Sequence, residues 1–112
     1  MSTDPIRLRL AMQPGESLIV VDAWPITSGG AEDLALCVHR SADRCGWTVS
    51  DRLTGLKLYT AHDRHQAILE CLADLQARAA ERDASVRAVL DQRRAEWTDL
   101  FQPCQLGGEV DA

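Results

Sequence analysis

The sequence predicts an α+β fold: an antiparallel meander of four to five strands over about residues 5–60, then a long or kinked helical region over 63–101. Three observations predict it. In the first half, apolar residues alternate with polar ones, the period of a half-buried strand. Between Leu56 and Gln102 there is neither glycine nor proline, although the chain holds seven glycines and four prolines. Inside that window, apolar residues recur at spacings of three and four, the period of a helix. A chain of 112 residues suits a single domain over 1–112 and can bury a core without disulfides or metal.

The strands follow in order. Ile6, Leu8, Leu10 and Met12 share one face of a first strand. Pro14-Gly15 suits the centre of a type II turn. Residues 17–24 are apolar on both faces up to Asp22, as in a strand covered on both sides. Residues 33–40 alternate again, with Leu34, Leu36 and Val38 on one face and Ala35, Cys37 and His39 on the other. Residues 47–50 place Trp47 and Val49 inward, and residues 56–60 place Leu56 and Leu58 inward. Short polar turns between these runs make a meander the simplest topology.

Asp63 is placed to cap a helix, with Gln66 three residues on as in a capping box. Ile68, Leu72, Leu75 and Ala79 form a first apolar stripe. The polar turn Ala80-Glu81-Arg82-Asp83 follows, then a second stripe of Val86, Leu90, Trp97 and Phe101, flanked by Val89 and Leu100. One rod over 63–101 would run to about 58 Å, far beyond a five-residue strand of about 17 Å. Either the region breaks near Glu81–Ala84 and folds back, with Ser85 or Asp83 capping a second helix, or its distal half projects and packs on another chain; base rates of helix length favour the break. Pro103 and Gly107-Gly108 end the helical half, and residues 103–112 read as a loose acidic tail.

Composition narrows function by exclusion. The formal charge is -5, with seven acids against six bases in residues 1–62 and ten against six in residues 63–112. Proteins that grip phosphates usually carry the opposite sign, so nucleic acid is disfavoured as a partner; the acidity is compatible with a basic protein partner and also serves plain solubility. No apolar run is long enough to cross a membrane. The N-terminus lacks the basic-then-apolar form of a signal peptide, so a cytoplasmic location is expected. In a reducing compartment Cys37, Cys45, Cys71 and Cys104 read as free thiols; export would allow a Cys37–Cys45 bridge.

Catalytic and metal sites find little support. Cys37, His39, Cys45, His62 and His65 lack the short paired spacings that zinc sites use. A cysteine–histidine nucleophile would need an orienting group and an oxyanion hole that no motif supplies. Gly29-Gly30 is an isolated pair rather than a phosphate loop. The chain is expected to be no enzyme and to need no cofactor or metal. The candidate site lies on the second stripe. Trp97 and Phe101 would anchor a protein partner, Arg93 and Arg94 would fix register, and Asp83, Asp91, Glu96 and Asp99 would supply the acid. Self-association through the helical half is a second use for the same surface.

Two resemblances bear on function. Residues 47–68, a Trp-x-Val strand, a Thr54-Gly55 turn, a second strand and a capped helix, resemble a unit of small phage and plasmid proteins. They are also similar to the arm-type DNA-binding domain of tyrosine recombinases. That likeness implies a sheet that enters a DNA groove, with Arg40, Arg44, Arg52 and Lys57 as its bases. In size, acidity and α+β pattern the whole chain resembles anti-CRISPR proteins. That likeness implies an inhibitor, encoded by a mobile element, that binds a basic surface of a nucleic-acid-handling host complex.

Overall fold

A computed structural model of the chain describes residues 4–11, 19–27, 31–41, 45–100 and 106–110. The elements are β1 (Ile6–Arg9), β2 (Val20–Pro25), β3 (Leu36–Arg40), β4 (Trp47–Asp51), β5 (Lys57–Ala61), α1 (Arg64–Glu81), α2 (Val86–Leu100) and β6 (Gly108–Val110). The strands form one antiparallel sheet in the order β5-β4-β3-β2-β1-β6. The expected meander is therefore present, enlarged by one strand.

That extra strand corrects the expectation of a loose tail. Gly108–Val110 pairs with β1, Arg7 opposite Val110 and Arg9 opposite Gly108. The same segment reaches the β4–β5 turn. Gly107 N–H donates to the Thr54 carbonyl at 2.7 Å and Glu109 N–H to the Arg52 carbonyl at 2.9 Å. Ala11 N–H donates to Gly55 O at 3.0 Å, and Arg52 pairs with Glu109 at 2.8 Å. The sheet thus curls until its β6 side meets the far end of β4. The close approach needs glycine: a Cβ on Gly107 would lie 1.7 Å from the Arg9 carbonyl oxygen.

Each face of the curled sheet has its own core. Leu36, Val38 and Val49 face the helices and pack with Ala67, Cys71, Leu72, Leu75, Ala79, Val89 and Leu90. Leu8, Leu10, Ala23 and Cys37 form a second cluster on the opposite face. The alternation expected for β1 and β3 is observed, including Cys37 and His39 on the face away from Val38. β3 itself begins later than residue 33. Residues 32–35 turn instead, with Leu34 N–H bonded to Ala31 O at 3.1 Å and Ala35 at φ 55°.

The helical half breaks where its polar turn lies. α1 starts on Asp63, whose carboxylate accepts from Gln66 N–H at 3.1 Å. Its buried stripe holds the expected Leu72, Leu75 and Ala79, widened by Ala67 and Cys71, while Ile68 is half-buried. At the other end Ala84 N–H donates to Ala79 O at 2.9 Å and Asp83 N–H to Ala80 O at 3.3 Å. These are the two bonds of a Schellman motif, with Asp83 in the left-handed position at φ 51°. An aspartate tolerates that conformation better than most residues, which is how the chain turns here without glycine. Ser85 then caps α2, its hydroxyl accepting from Ala88 N–H at 3.0 Å.

Candidate functional site

A charged contact fastens α2 to the sheet. Asp51, at the end of β4, is fully buried, and Arg94 is 15% exposed along its side chain. Arg94 Nη2 donates to Asp51 Oδ1 at 2.7 Å, and Nε lies 3.1 Å from both carboxylate oxygens. The same Nη2 donates to the Leu34 carbonyl at 2.6 Å, and Nη1 to Asp91 at 3.2 Å. Thr54 Oγ1 completes the Asp51 shell at 2.7 Å. Burial works against the charge on Arg94, but the hydrogen bonds and charges of Asp51 and then Asp91 outweigh it and hold its pKa above the ordinary arginine value. Arg94 therefore positions α2.

From that anchor a stripe runs along the helix. Val86, Leu90, Arg93, Trp97 and Leu100 follow the four-three-four-three spacing of one helix face. The near part is covered: Leu90 is fully buried and Val86 packs against the core shared with α1. The far part is not. Arg93 and Trp97 are half-buried, and Leu100 is 77% exposed. The Arg93 guanidinium lies over the Trp97 ring at 5.3 Å from its centroid, a favourable contact that also keeps its N–H edge accessible.

The acids are distributed around this stripe rather than gathered beside it. By helix period, Glu96 flanks Trp97 and Leu100, while Asp91 and Asp99 lie further round the back. Asp83 sits apart, exposed in the interhelical turn. Glu96 accepts from Gln92 Nε2 at 3.3 Å and Asp91 pairs with Arg94. Phe101 lies outside the described residues.

The alternative set of bases is dispersed. Arg40 ends β3 and stacks on Trp47, whereas Arg52 follows the opposite end of β4 and pairs with Glu109. Lys57 is exposed on β5, in register with Ser50. Arg44 lies outside the described residues.

A buried polar group fills the face opposite the helices. His39 Nδ1 donates to the Arg40 carbonyl at 2.8 Å, so Nε2 accepts from the Ser50 hydroxyl, also at 2.8 Å. The Cys37 thiol donates to Ser50 O at 3.4 Å. Ser41, Thr48 and Thr60 form a hydroxyl chain at 2.8 and 3.1 Å. The serine–histidine bond has the form of a nucleophile and its base, yet both residues have no exposure. A substrate has no route to Ser50, and the group acts as a satisfied polar core. Ser50 escaped the sequence reading; its place opposite Cys37 in the β3–β4 register is the signal that reveals it.

The two buried thiols are poor nucleophiles. Burial pushes the Cys37 and Cys71 thiols up to about 12 each, so neither supplies thiolate near neutral pH. Cys37 and Cys71 are buried free thiols. Among the described residues no three histidine, cysteine or carboxylate side chains are grouped to hold a metal ion. No helix among them is long and apolar enough to cross a membrane. Comparisons with family models, curated proteins and solved structures find no match.

Proposed function

We propose that the protein is a non-enzymatic binding module whose α2 face captures a protein partner. The single observation that carries this reading is the apolar stripe that continues past its own core. Leu90 is buried in the core between helices and sheet and Val86 packs against it, while half-buried Trp97 and exposed Leu100 continue the same line outward. Tryptophan and arginine are favoured interface anchors, and Arg93 stacked on Trp97 provides both in one place. Arg94, committed to Asp51, supports the face by holding α2 in place.

Glu96, exposed beside the stripe, offers a carboxylate to a basic partner surface. A nucleic-acid-binding protein has such a surface. In the most specific form of the proposal, the chain is an inhibitor of the anti-CRISPR type, carried by a mobile element, that occludes a host effector's nucleic-acid channel. The support for that form is acidity, size and fold class. A self-associated α2 pair is the competing use of the same stripe. Sedimentation of the purified chain separates the two: a monomer across concentration leaves the stripe for a different partner. Trp97→Ala with Leu100→Ala should abolish capture while leaving the fold in place.

A further inference from the structure

We propose a second binding site, at one end of the sheet's helix-facing surface, built from Trp24, Trp47, Arg40 and Arg64 and suited to an acidic peptide segment. The register assembles it. Trp24 stands opposite Val38 and Trp47 opposite Arg40, so residues from β2, β3 and β4 meet on one face at one end of the strands. The two indole rings are 6.3 Å apart at 59°. Arg64, the first residue of α1, places its guanidinium 5.4 Å from the Trp24 centroid and 5.5 Å from that of Trp47. Arg40 lies 5.2 Å from the Trp47 centroid.

Two features point to carboxylates as the ligand. First, a guanidinium stacked on an aromatic face keeps its in-plane fork of N–H donors free, and that fork matches a carboxylate. Arg52, Arg78 and Arg94 spend their forks on acids within the chain, but no carboxylate among the described residues lies within ion-pair distance of Arg40 or Arg64. Both residues are exposed and both tryptophans are half-buried. The nearby carboxylates are engaged elsewhere, Asp22 with Arg7 and Asp63 with the Gln66 N–H. Second, the guanidiniums already occupy ring faces on which bases would stack, and single-strand binders depend on such faces. A peptide with carboxylates beside an apolar side chain fits the forks and the ring edges together. The site is independent of the α2 stripe and selects partners of opposite charge.

The test uses a Trp97→Phe chain, so that fluorescence reports Trp24 and Trp47. The probes are an oligoglutamate peptide with a central leucine and, separately, oligothymidylate of equal charge, both at low salt. A saturable change with the peptide is expected. Arg40→Gln with Arg64→Gln should weaken it about tenfold or more, and Arg40→Lys with Arg64→Lys, which keeps the charge and loses the fork, should weaken it less. Far-UV circular dichroism of all variants should match the parent. No saturable response to the peptide would overturn the proposal. So would equal binding by the glutamine variant, or tighter binding of oligothymidylate. None of these results bears on capture through α2, which Trp97→Ala with Leu100→Ala tests separately.

Discussion

Arg94 on α2 and Asp51 at the end of β4 form a buried bond of 2.7 Å that joins the second helix to the sheet. The pair lies 43 residues apart in sequence, so it acts as a tertiary fastening. α2 otherwise packs on α1 through Val86, Val89 and Leu90. Removing one partner should leave a buried, uncompensated charge. Arg94→Met is expected to lower stability by about 3–5 kcal/mol, read from urea unfolding. Adding Asp51→Asn should recover part of that loss, because the charge left behind disappears. Additive losses would show that the two side chains act separately.

The helix break rests on Asp83 at φ 51°. Asp83→Gly should leave stability unchanged or raise it, since glycine enters the left-handed region freely. Asp83→Val should lower it by about 1–2 kcal/mol. Thermal unfolding of the two variants checks the order. Equal losses for both would place the break on Ser85 capping instead.

His39 makes stability depend on pH. Burial lowers its pKa, opposed by the bond to the Arg40 carbonyl and assisted by the charge of Lys57. The unfolded chain therefore binds a proton at higher pH than the folded chain does. Stability from this residue is complete above about pH 6.5 and falls as pH drops toward the folded pKa. Unfolding of His39→Gln should lose that part of the pH dependence. A proton-linked fall that persists unchanged in the variant would assign it to other groups.

Closure of the sheet depends on backbone contact at Gly107. Gly107→Ala should push the chain away from the Arg9 carbonyl and cost about 1–3 kcal/mol or more. Amide exchange at Glu109, which donates to Arg52 O, should accelerate well beyond the loss of global stability. Unchanged protection there would mean that β6 docks without the close approach.

Much of this architecture could be read from local pattern, because local physics decides it. Ile6, Leu8 and Leu10 alternate, and so do Leu36, Cys37, Val38 and His39, and the sheet uses both faces as the alternation implies. Asp63 caps its helix and the polar turn at 80–83 marks the break. The features that escaped are set by distant contacts. β6 is three residues, Gly108-Glu109-Val110, too short to show a period, and its partner lies about a hundred residues earlier. The tie between Asp51 and Arg94 has no local signature; Arg94 reads equally well as a surface residue. Trp24 and Trp47 meet only because β2 and β4 flank β3 in a particular register. For the candidate surface, Trp97 was legible as an anomaly of composition, whereas the share of the stripe that α1 covers depends on where α2 lands.

The most direct test of the α2 reading is quantitative affinity capture with matched baits. Tagged wild-type chain and Trp97→Ala with Leu100→Ala would be exposed to the same lysate of the source organism, after their melting temperatures are shown to agree. A capture surface on α2 predicts a protein retained by the wild type and depleted about tenfold or more on the variant, and reproduced by the purified pair. Identical retained sets on the two folded baits would contradict it.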